Sequence, residues 1–238
     1  MIETKICEPA PLLPAEIIDR AKKLGAALLA DGMKGLGVRN DGAMCRNINP
    51  VTMEMRVVGT AFTLESEDGD NLPLHLAMKL LKPGYVMVID GKGYTGKAYF
   101  GDLIARQARA MGAEGMIIDG CIRDRDDIAE MEFPVYSIGY MQRGPGKKNP
   151  GRVNCPVVCG DVDVAPGDLV VADADGVTVV PKDKLEEALA AAEKKNAYEF
   201  ERRKTIANYE QTKAQGGELF NLSPAWVDAQ LKDLGITL

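Results

Sequence analysis

The chain alternates between short, almost wholly apolar runs and segments whose apolar residues recur every three or four positions. The runs "YVMVID" (85–90) and "GMIIDG" (115–120) have the length of buried strands. Between them, "LIARQARAMG" (103–112) has helical spacing and ends at Gly112, a residue typical of helix C-termini. This order of strand, helix and strand predicts parallel β-structure.

The segments on either side of this centre add one helix, several strands and a helical end. The spacing of "AEIIDRAKKLGAALLAD" (15–31) predicts one helix, and "MRVVGTAFTLES" (55–66) predicts strands interrupted at Gly59. Valine and turn residues dominate 151–181, which predicts strands joined by tight turns. The last quarter is charged and has helical spacing. We therefore predict one α/β domain over residues 1–182 and a C-terminal helical extension over 183–238.

Composition narrows the classes of function. The chain has 238 residues, of which 46% are hydrophobic and 27% charged, and its net charge of −6 argues against a nucleic-acid partner. No apolar run approaches the roughly 20 residues that span a membrane, and the N-terminus lacks a signal-peptide pattern. Five scattered cysteines are typical of reduced thiols, so we expect a cytoplasmic protein. A single histidine, His75, excludes a multi-histidine metal site, so any metal is expected to have oxygen ligands.

The glycine-rich stretch "DGKGYTGKAYFGD" (90–102) resembles two phosphate-binding motifs. The P-loop pattern needs Ser or Thr after its lysine, but Ala98 stands there, and no acidic residue fits the dinucleotide pattern. We therefore expect these glycines to let the chain turn closely past a crevice. Lys92 or Lys97 would face an anionic substrate there, and either lysine is alternatively a Schiff-base nucleophile.

Polar residues follow the two central strands at the point where each strand ends. Asp102 begins a helix whose first amides include those of Leu103 and Ile104, and such amides bind carboxylates. Arg123 and Asp124 follow the next strand, and the ligand crevice of an open α/β sheet lies at this edge. A guanidinium and several carboxylates there suit an anionic substrate with Mg²⁺ or Mn²⁺. The alternative is a helix cap followed by a solvated run of charges.

Two further polar positions have structural explanations. Asp70 and Asn71 are typical N-terminal caps for a helix predicted to continue to Pro83–Gly84. His75, within that helix, is expected on its surface or in the core rather than in catalysis.

The segment "GDLIARQARAMGAEGMIIDGCIRDRDD" (101–127) contains the pattern D-x20-R-D followed by another acid. It resembles the signature of the divalent-metal pyruvate aldolases that act on 4-hydroxy-4-methyl-2-oxoglutarate and 4-carboxy-4-hydroxy-2-oxoadipate. That family is related to the regulator of ribonuclease E activity. The resemblance extends through "VVGTAFTL", "GDNL" and "PGDLVVADADGVTVVP". It implies a compact α/β/β sandwich that assembles as trimers or hexamers, with active sites between subunits.

The resemblance also implies roles for residues at the metal. Asp124 would bind Mg²⁺ or Mn²⁺ directly, and Asp102 would hold it through water. Glu199 from the C-terminal helix of a neighbouring subunit would reach the same waters. Glu199 continues a helical stripe formed by Leu185, Leu189, Ala192 and Asn196. The alternative is that Glu199 lies in water on a frayed helix.

The resemblance implies a pyruvyl site beside that metal. The segment Gly101–Ile104, through the amides of Leu103 and Ile104, would take the pyruvyl carboxylate. Arg123 would bind the carbonyl oxygen and stabilise the enolate, with Asp102 also in the catalytic set.

The implied activity is a class II aldolase that cleaves one of the two family substrates to pyruvate and a second 2-oxo acid. Decarboxylation of oxaloacetate passes through the same enolate and is expected as a side activity. One alternative is an enzyme of the same scaffold that acts on another oxo acid. The other is a non-catalytic protein that binds a ribonuclease or helicase, as the related regulators do.

Overall fold

A computed structural model describes residues 4–149 and 151–236 of the chain. The strands are β1 (Lys5–Ile6), β2 (Asn49–Pro50), β3 (Val57–Glu65), β4 (Tyr85–Ala98), β5 (Gly115–Ile122), β6 (Val135–Ser137), β7 (Gly139–Tyr140), β8 (Arg152–Val153), β9 (Val157–Cys159), β10 (Val162–Val164), β11 (Leu169–Asp173) and β12 (Gly176–Val180). The helices are α1 (Ala15–Ala21), α2 (Ala26–Met33), α3 (Leu72–Ala77), α4 (Asp102–Ala110), α5 (Arg125–Glu130), α6 (Leu185–Ala214) and α7 (Ala225–Asp233).

A mixed sheet forms the centre of the fold. Its strand order is β1-β8-β3-β4-β5-β6-β2, with β7 beside β5, and β3, β4, β5 and β6 are parallel. On the edge away from β4, β3 pairs antiparallel with β8 and with β11. β11 in turn pairs antiparallel with β12. The predicted α/β class, its parallel centre and the helical C-terminus are confirmed.

Gly59 does not interrupt β3, contrary to the sequence prediction. The strand is continuous from Val57 to Glu65, and Gly59 pairs with Val170 of β11. A Cβ atom at Gly59 would lie 2.8 Å from a methyl carbon of Val86. The glycine therefore allows close packing of neighbouring strands rather than ending one.

The single helix predicted over residues 15–31 is two helices, α1 and α2. The break lies at Gly25, the N-cap of α2, where the Asp173 carboxylate accepts a hydrogen bond of 2.8 Å from the Ala26 amide. A side chain at Gly25 would meet that carboxylate at 2.9 Å. The helix predicted to reach Pro83–Gly84 is also shorter, since α3 ends at Ala77.

Residues 90–98 of the glycine-rich stretch belong to β4 instead of forming a loop, and Gly101 lies beyond the end of that strand. The strand continues from Tyr85 to Ala98, and its pairing with β5 shifts register around Tyr94. A Cβ atom at Gly91 would lie 2.5 Å from the Asp119 carbonyl oxygen. This glycine therefore permits close approach of two backbones inside the sheet.

Two apolar clusters are buried on opposite sides of β11. Val170 and Ala172 belong to the cluster around the parallel strands, while Leu169 and Val171 face the other cluster. The second cluster contains residues of α1, α2 and the first turns of α6. Because successive side chains of a strand point to opposite faces, β11 lies between two packed layers.

The chain divides into two compact units, 1–193 and 194–238, and the division falls within α6. In the second unit, the rings of Tyr209 and Phe220 pack edge to face at 5.4 Å, and Arg202 donates to the Leu222 carbonyl at 2.9 Å. The predicted division after residue 182 and the contact with another subunit stay predictions. No helix among the described residues is long and apolar enough to cross a membrane.

Candidate active site

A cavity of about 360 Å³ lies where β4 and β5 end. It brings together Gly101, Asp102, Leu103, Ile104, Arg123 and Asp124, which are the predicted site residues of the first unit. The other lining residues are Asn71, His75, Phe100, Gly144, Pro145 and Lys147. The parallel pairing of the two strands explains the convergence, because their carboxyl ends meet at one edge of the sheet.

Asp124 is the N-cap of α5 and has a left-handed backbone conformation, with φ 58° and ψ 47°. Its Oδ2 accepts a hydrogen bond of 3.3 Å from the Asp102 amide, so the two acidic residues are directly linked. The same oxygen occupies the space beside Gly101, where a Cβ atom would lie 2.1 Å away. Gly101 is therefore required for the position of the Asp124 carboxylate.

The Arg123 side chain lies against two glycines of the cavity wall. Its backbone amide donates to the Phe100 carbonyl at 3.0 Å. Cβ atoms at Gly101 and Gly144 would lie 2.9 Å from its Cγ and 3.1 Å from its Nη1, respectively. Its Nε is 3.4 Å from Asp124 Oδ2. The guanidinium is thus confined beside the carboxylate.

The N-terminus of α4 points amide groups into the cavity region. The first hydrogen bond along this helix runs from the Ala105 amide to the Gly101 carbonyl at 3.2 Å, so the amides of Leu103 and Ile104 precede it. Asp102 Oδ2 accepts a hydrogen bond of 3.0 Å from Arg106 one turn later. The Leu103 side chain is 75% exposed although it is apolar.

Two buried side-chain atoms in the described part of the chain have no hydrogen-bond partner, and both belong to residues that line this cavity. They are Arg123 Nε, a donor, and Asn71 Oδ1, an acceptor. Buried polar atoms are normally paired, because leaving one unpaired costs about 1–3 kcal/mol. A ligand in the cavity would supply the missing partners.

Asp70 connects the cavity to the loop that contains Gly144 and Lys147. Its Oδ2 accepts from the Lys148 amide at 2.7 Å and its Oδ1 from the Leu72 amide at 2.9 Å. The Asn71 amide donates to the Gly146 carbonyl at 3.0 Å. Asp70 therefore caps as predicted and also fixes the loop, whereas the Asn71 side chain makes no capping hydrogen bond.

Six wall residues were not predicted as site residues, and four of them are polar or bound the Arg123 side chain. Asn71 was interpreted as a cap and His75 as surface or core, while Gly144 and Lys147 had no assigned role. The missing information is the long-range pairing of Asp70 with Gly146, which no local pattern in the sequence indicates.

The carboxylates of the cavity suit a cation that keeps several bound waters better than a metal ion enclosed by protein ligands. Among residues 4–149 and 151–236, no three His, Cys, Asp or Glu side chains are grouped as metal ligands. The cavity offers the carboxylates of Asp102 and Asp124. Mg²⁺ and Mn²⁺ accept oxygen ligands, and Mg²⁺ keeps several waters when one or two carboxylates bind it, so these residues fit such a cation.

Lys92, Lys97 and Asp119 do not line this cavity. The Lys92 ammonium is 2.6 Å from a carboxylate oxygen of Glu65 and 2.6 Å from one of Asp90. Burial lowers the pKa of Lys92, but hydrogen bonds to those carboxylates outweigh it, and the net pKa is raised. A lysine kept protonated is a poor Schiff-base nucleophile. Burial raises the pKa of Asp119, whose Oδ2 accepts from the Gly160 amide at 3.3 Å.

Glu199 lies on α6 in the second unit. Its carboxylate pairs with Arg203 at 2.8 Å, and its side chain is 31% exposed. It shares a half-buried stripe with Asn196 and Arg202. Tyr198 and Phe200 beside it are 46% and 55% exposed.

Comparisons with known proteins agree with this fold. The sequence profile described as RraA-like, Aldolase/RraA, matches residues 18–179. A relative from Halalkalibacterium halodurans, named "Putative 4-hydroxy-4-methyl-2-oxoglutarate aldolase", is 35% identical over 193 residues, which are 81% of this chain and 90% of that protein.

Two solved structures share the architecture. Streptomyces coelicolor RraAS2, described as an unusual member of the RNase ES inhibitor RraA protein family, superimposes with a TM-score of 0.72 at 26% identity, covering 80% of this chain and 98% of that one. The RNA-processing inhibitor RraA from Thermus thermophilis gives a TM-score of 0.55 at 26% identity, covering 58% and 84%. On the profile match and the relative from H. halodurans, the chain belongs to the RraA-like family of aldolases and RraA proteins.

Proposed function

We propose that the protein is a class II pyruvate aldolase that cleaves a 4-hydroxy-2-oxo acid, namely 4-hydroxy-4-methyl-2-oxoglutarate or 4-carboxy-4-hydroxy-2-oxoadipate. The observation that carries the proposal is a cavity that brings the Arg123 guanidinium together with the Asp102 and Asp124 carboxylates, where Arg123 Nε lies 3.4 Å from Asp124 Oδ2 and makes no hydrogen bond. The aldolase name of the H. halodurans relative supports it.

The pyruvyl half of the substrate would lie between α4 and Arg123. The amides of Leu103 and Ile104 would bind its carboxylate, since helix N-termini favour anions. Arg123 would donate to the 2-oxo group and stabilise the negative charge that develops on this oxygen. Donors fixed in place before the reaction lower its barrier most effectively.

Asp124 would hold Mg²⁺ or Mn²⁺ directly, and Asp102 would hold it through water. When bound, such a cation acts as a Lewis acid toward the 2-oxo acid. Asp124 is suited to its role because Gly101 leaves room for its carboxylate and the Asp102 amide fixes one oxygen.

Cleavage requires loss of the 4-hydroxyl proton to a base and rupture of the C3–C4 bond. The bonding electron pair moves into the pyruvate enolate, whose oxygen faces Arg123, while C4 becomes the carbonyl carbon of the second oxo acid. A proton delivered to C3 from water then completes pyruvate. Oxaloacetate would lose carbon dioxide through the same enolate.

The site would be completed by Glu199 from a neighbouring subunit of a trimer or hexamer. Two exposed apolar features support association. Leu103 is 75% exposed at the cavity, and Tyr198 and Phe200 flank Glu199 with about half of their surface exposed. Contact with a second chain would bury this apolar surface.

The replacement Asp124→Ala tests the assignment of the metal ligand. We expect it to abolish metal-dependent pyruvate release from oxaloacetate, with Asp126→Ala as the matched control, because Asp126 is exposed and does not line the cavity. Full metal-dependent turnover by the Asp124 variant would show that the ligand is wrongly assigned.

A non-catalytic regulator is the second candidate, because one structurally similar protein is described as a member of the RNase ES inhibitor RraA family and another as the RNA-processing inhibitor RraA. It predicts specific capture of a ribonuclease or helicase from a lysate and no turnover of oxo acids. Turnover that depends on Asp124 would exclude it as the sole function.

A further inference from the structure

We propose that Cys7 and Cys155 are an oxidative modification site, at which a hydroperoxide converts the two thiols into a reversible disulfide. The bond would fasten the N-terminal strand β1 to the segment that follows β8. This inference goes beyond the proposed aldolase function, and neither cysteine lines the cavity of the candidate active site.

The two sulfur atoms are already neighbours in the folded chain. Cys7 Sγ lies 3.3 Å from Cys155 Sγ, although 148 positions separate the two residues in sequence. Both cysteines are free thiols. A disulfide bond is about 2.05 Å long, so the sulfurs need to approach each other by about 1.3 Å, which lies within the reach of side-chain rotation.

Strand pairing holds the two cysteines in this position. β1 pairs parallel with β8, which places Ile6 opposite Val153. The Cys7 amide donates to the Val153 carbonyl at 3.0 Å, and the Asn154 side chain donates to the Cys7 carbonyl at 3.3 Å. Because hydrogen bonds fix the backbone on both sides of Cys7, its sulfur is kept close to that of Cys155.

The surroundings of the two thiols assign them different roles. Cys7 is partly exposed, whereas Cys155 is 2% exposed, so a peroxide in solution reaches Cys7 first. Burial raises the pKa of the Cys155 thiol and the Cys7 thiol raises it further, while the Arg152 guanidinium opposes both effects. Cys155 therefore keeps its proton until it attacks, and Arg152 stabilises the thiolate that forms then.

The reaction has two steps. The Cys7 sulfur attacks one oxygen of the hydroperoxide and the O–O bond breaks, which gives a Cys7 sulfenic acid and, with the Cys7 proton, an alcohol (water when the oxidant is hydrogen peroxide). The Cys155 sulfur then attacks the Cys7 sulfur, and the displaced hydroxyl takes the Cys155 proton and leaves as water. The two thiols together lose two electrons and two protons, and the peroxide accepts them.

The disulfide would stabilise a strand that few contacts hold. β1 contains only Lys5 and Ile6, and both are exposed. Short exposed strands open readily, and a cross-link that closes a long loop restricts the unfolded chain. We expect the thermal midpoint of the oxidised protein to exceed that of the reduced protein by about 5–10 °C.

The test treats the full chain with a small excess of hydrogen peroxide and compares it with protein reduced by dithiothreitol. We expect the free thiols to fall from five to three, the mass of a single chain to fall by two hydrogen atoms, and a peptide map to show Cys7 joined to Cys155. Cys7→Ser should prevent the link, and Cys155→Ser should leave a Cys7 sulfenic acid that dimedone traps. Cys45→Ser is the matched control, because Cys45 is also partly exposed but lies outside the pair, and this variant should form the link as the wild type does.

The outcomes separate this inference from the proposed function. A joined peptide that dithiothreitol reverses supports the pair. Peptides that stay separate overturn it, whether their thiols remain free or are oxidised to acids, and so does a link that is lost in folded Cys45→Ser. None of these readouts requires turnover of an oxo acid, so a failure of the aldolase proposal would be observed independently.

Discussion

The replacement Gly101→Ala removes no functional group, yet it should inactivate the site. The Cβ atom it adds would lie 2.1 Å from Asp124 Oδ2. Cβ atoms in proteins essentially never approach another heavy atom closer than 3.0 Å, so the carboxylate oxygen would have to retreat by about 0.9 Å. The backbone at Gly101, with φ −137° and ψ −158°, is open to any residue, so the clash is the main consequence.

The size of that displacement sets the expected loss. Catalytic groups need positions accurate to about 0.5 Å, and metal–ligand distances are fixed to about 0.2 Å. A misplacement of about 1 Å costs about 100-fold in rate, which corresponds to about 2.7 kcal/mol. Asp124 is 34% exposed and can rotate toward solvent, so the free energy of unfolding should fall by about 1 kcal/mol or less.

The assay measures metal-dependent pyruvate release and, separately, urea unfolding of the same preparation. Gly217→Ala is the matched control, because its Cβ atom would meet only Thr212, at 2.9 Å from a methyl carbon, in the second unit. We expect the Gly101 variant to be folded and at least 100-fold less active, with the control near wild type. A folded Gly101 variant with activity within threefold of wild type would refute the assigned position of Asp124.

Two further predictions concern subunits and pH. Asp124→Ala and Glu199→Ala variants, each inactive alone, should recover part of the activity when mixed under conditions that exchange subunits, and no recovery would place Glu199 outside a shared site. Asp168 is buried and accepts from the amides of Ala165 at 2.7 Å and Lys182 at 3.0 Å, so Asp168→Asn, which turns one acceptor into a donor, should lower the free energy of unfolding by about 1–3 kcal/mol. Burial raises the pKa of Asp168 above its ordinary 3.8, so the folded state binds the proton more tightly than the unfolded state. The free energy of unfolding of the wild type, relative to that of Asp168→Asn, therefore declines as the pH rises from 3.8 through the raised pKa of Asp168. Urea unfolding at about pH 4 and about pH 7 measures the difference in unfolding free energy between the wild type and Asp168→Asn. We expect this difference to be smaller at pH 7, and a larger difference at pH 7 would contradict burial as the cause of the raised Asp168 pKa.

The parallel centre of the fold could be predicted because its elements have clear local signals. Apolar runs 85–90 and 115–120 with an amphipathic segment between them allow little besides a strand–helix–strand unit. Two of the errors occurred at glycines. Gly25 is the N-cap of a second helix because the distant Asp173 carboxylate binds the next amide, and Gly59 lies within a strand because Val86 packs against it. Both causes are contacts between residues far apart in sequence.

In the candidate site, too, the residues with local signals could be predicted and those placed by long-range contacts could not. The residues of the D-x20-R-D pattern could be predicted to meet because each follows the end of a parallel strand. The sequence predicts Asn71 as a helix cap, because its residue type and its position before a helix favour that role. Its contribution to the cavity depends on Asp70 holding the loop at Gly146, and that long-range pairing has no signature in either segment.

The central claim is tested most directly by pyruvate release, coupled to lactate dehydrogenase, from oxaloacetate and from 4-hydroxy-4-methyl-2-oxoglutarate with Mg²⁺, with Mn²⁺ and with EDTA. The proposed function predicts pyruvate from both substrates with either metal, and none when the chelator has removed the metal. Pyruvate that persists in protein shown to be free of metal would contradict the metal-dependent mechanism. No pyruvate under any of these conditions would contradict the aldolase proposal as a whole.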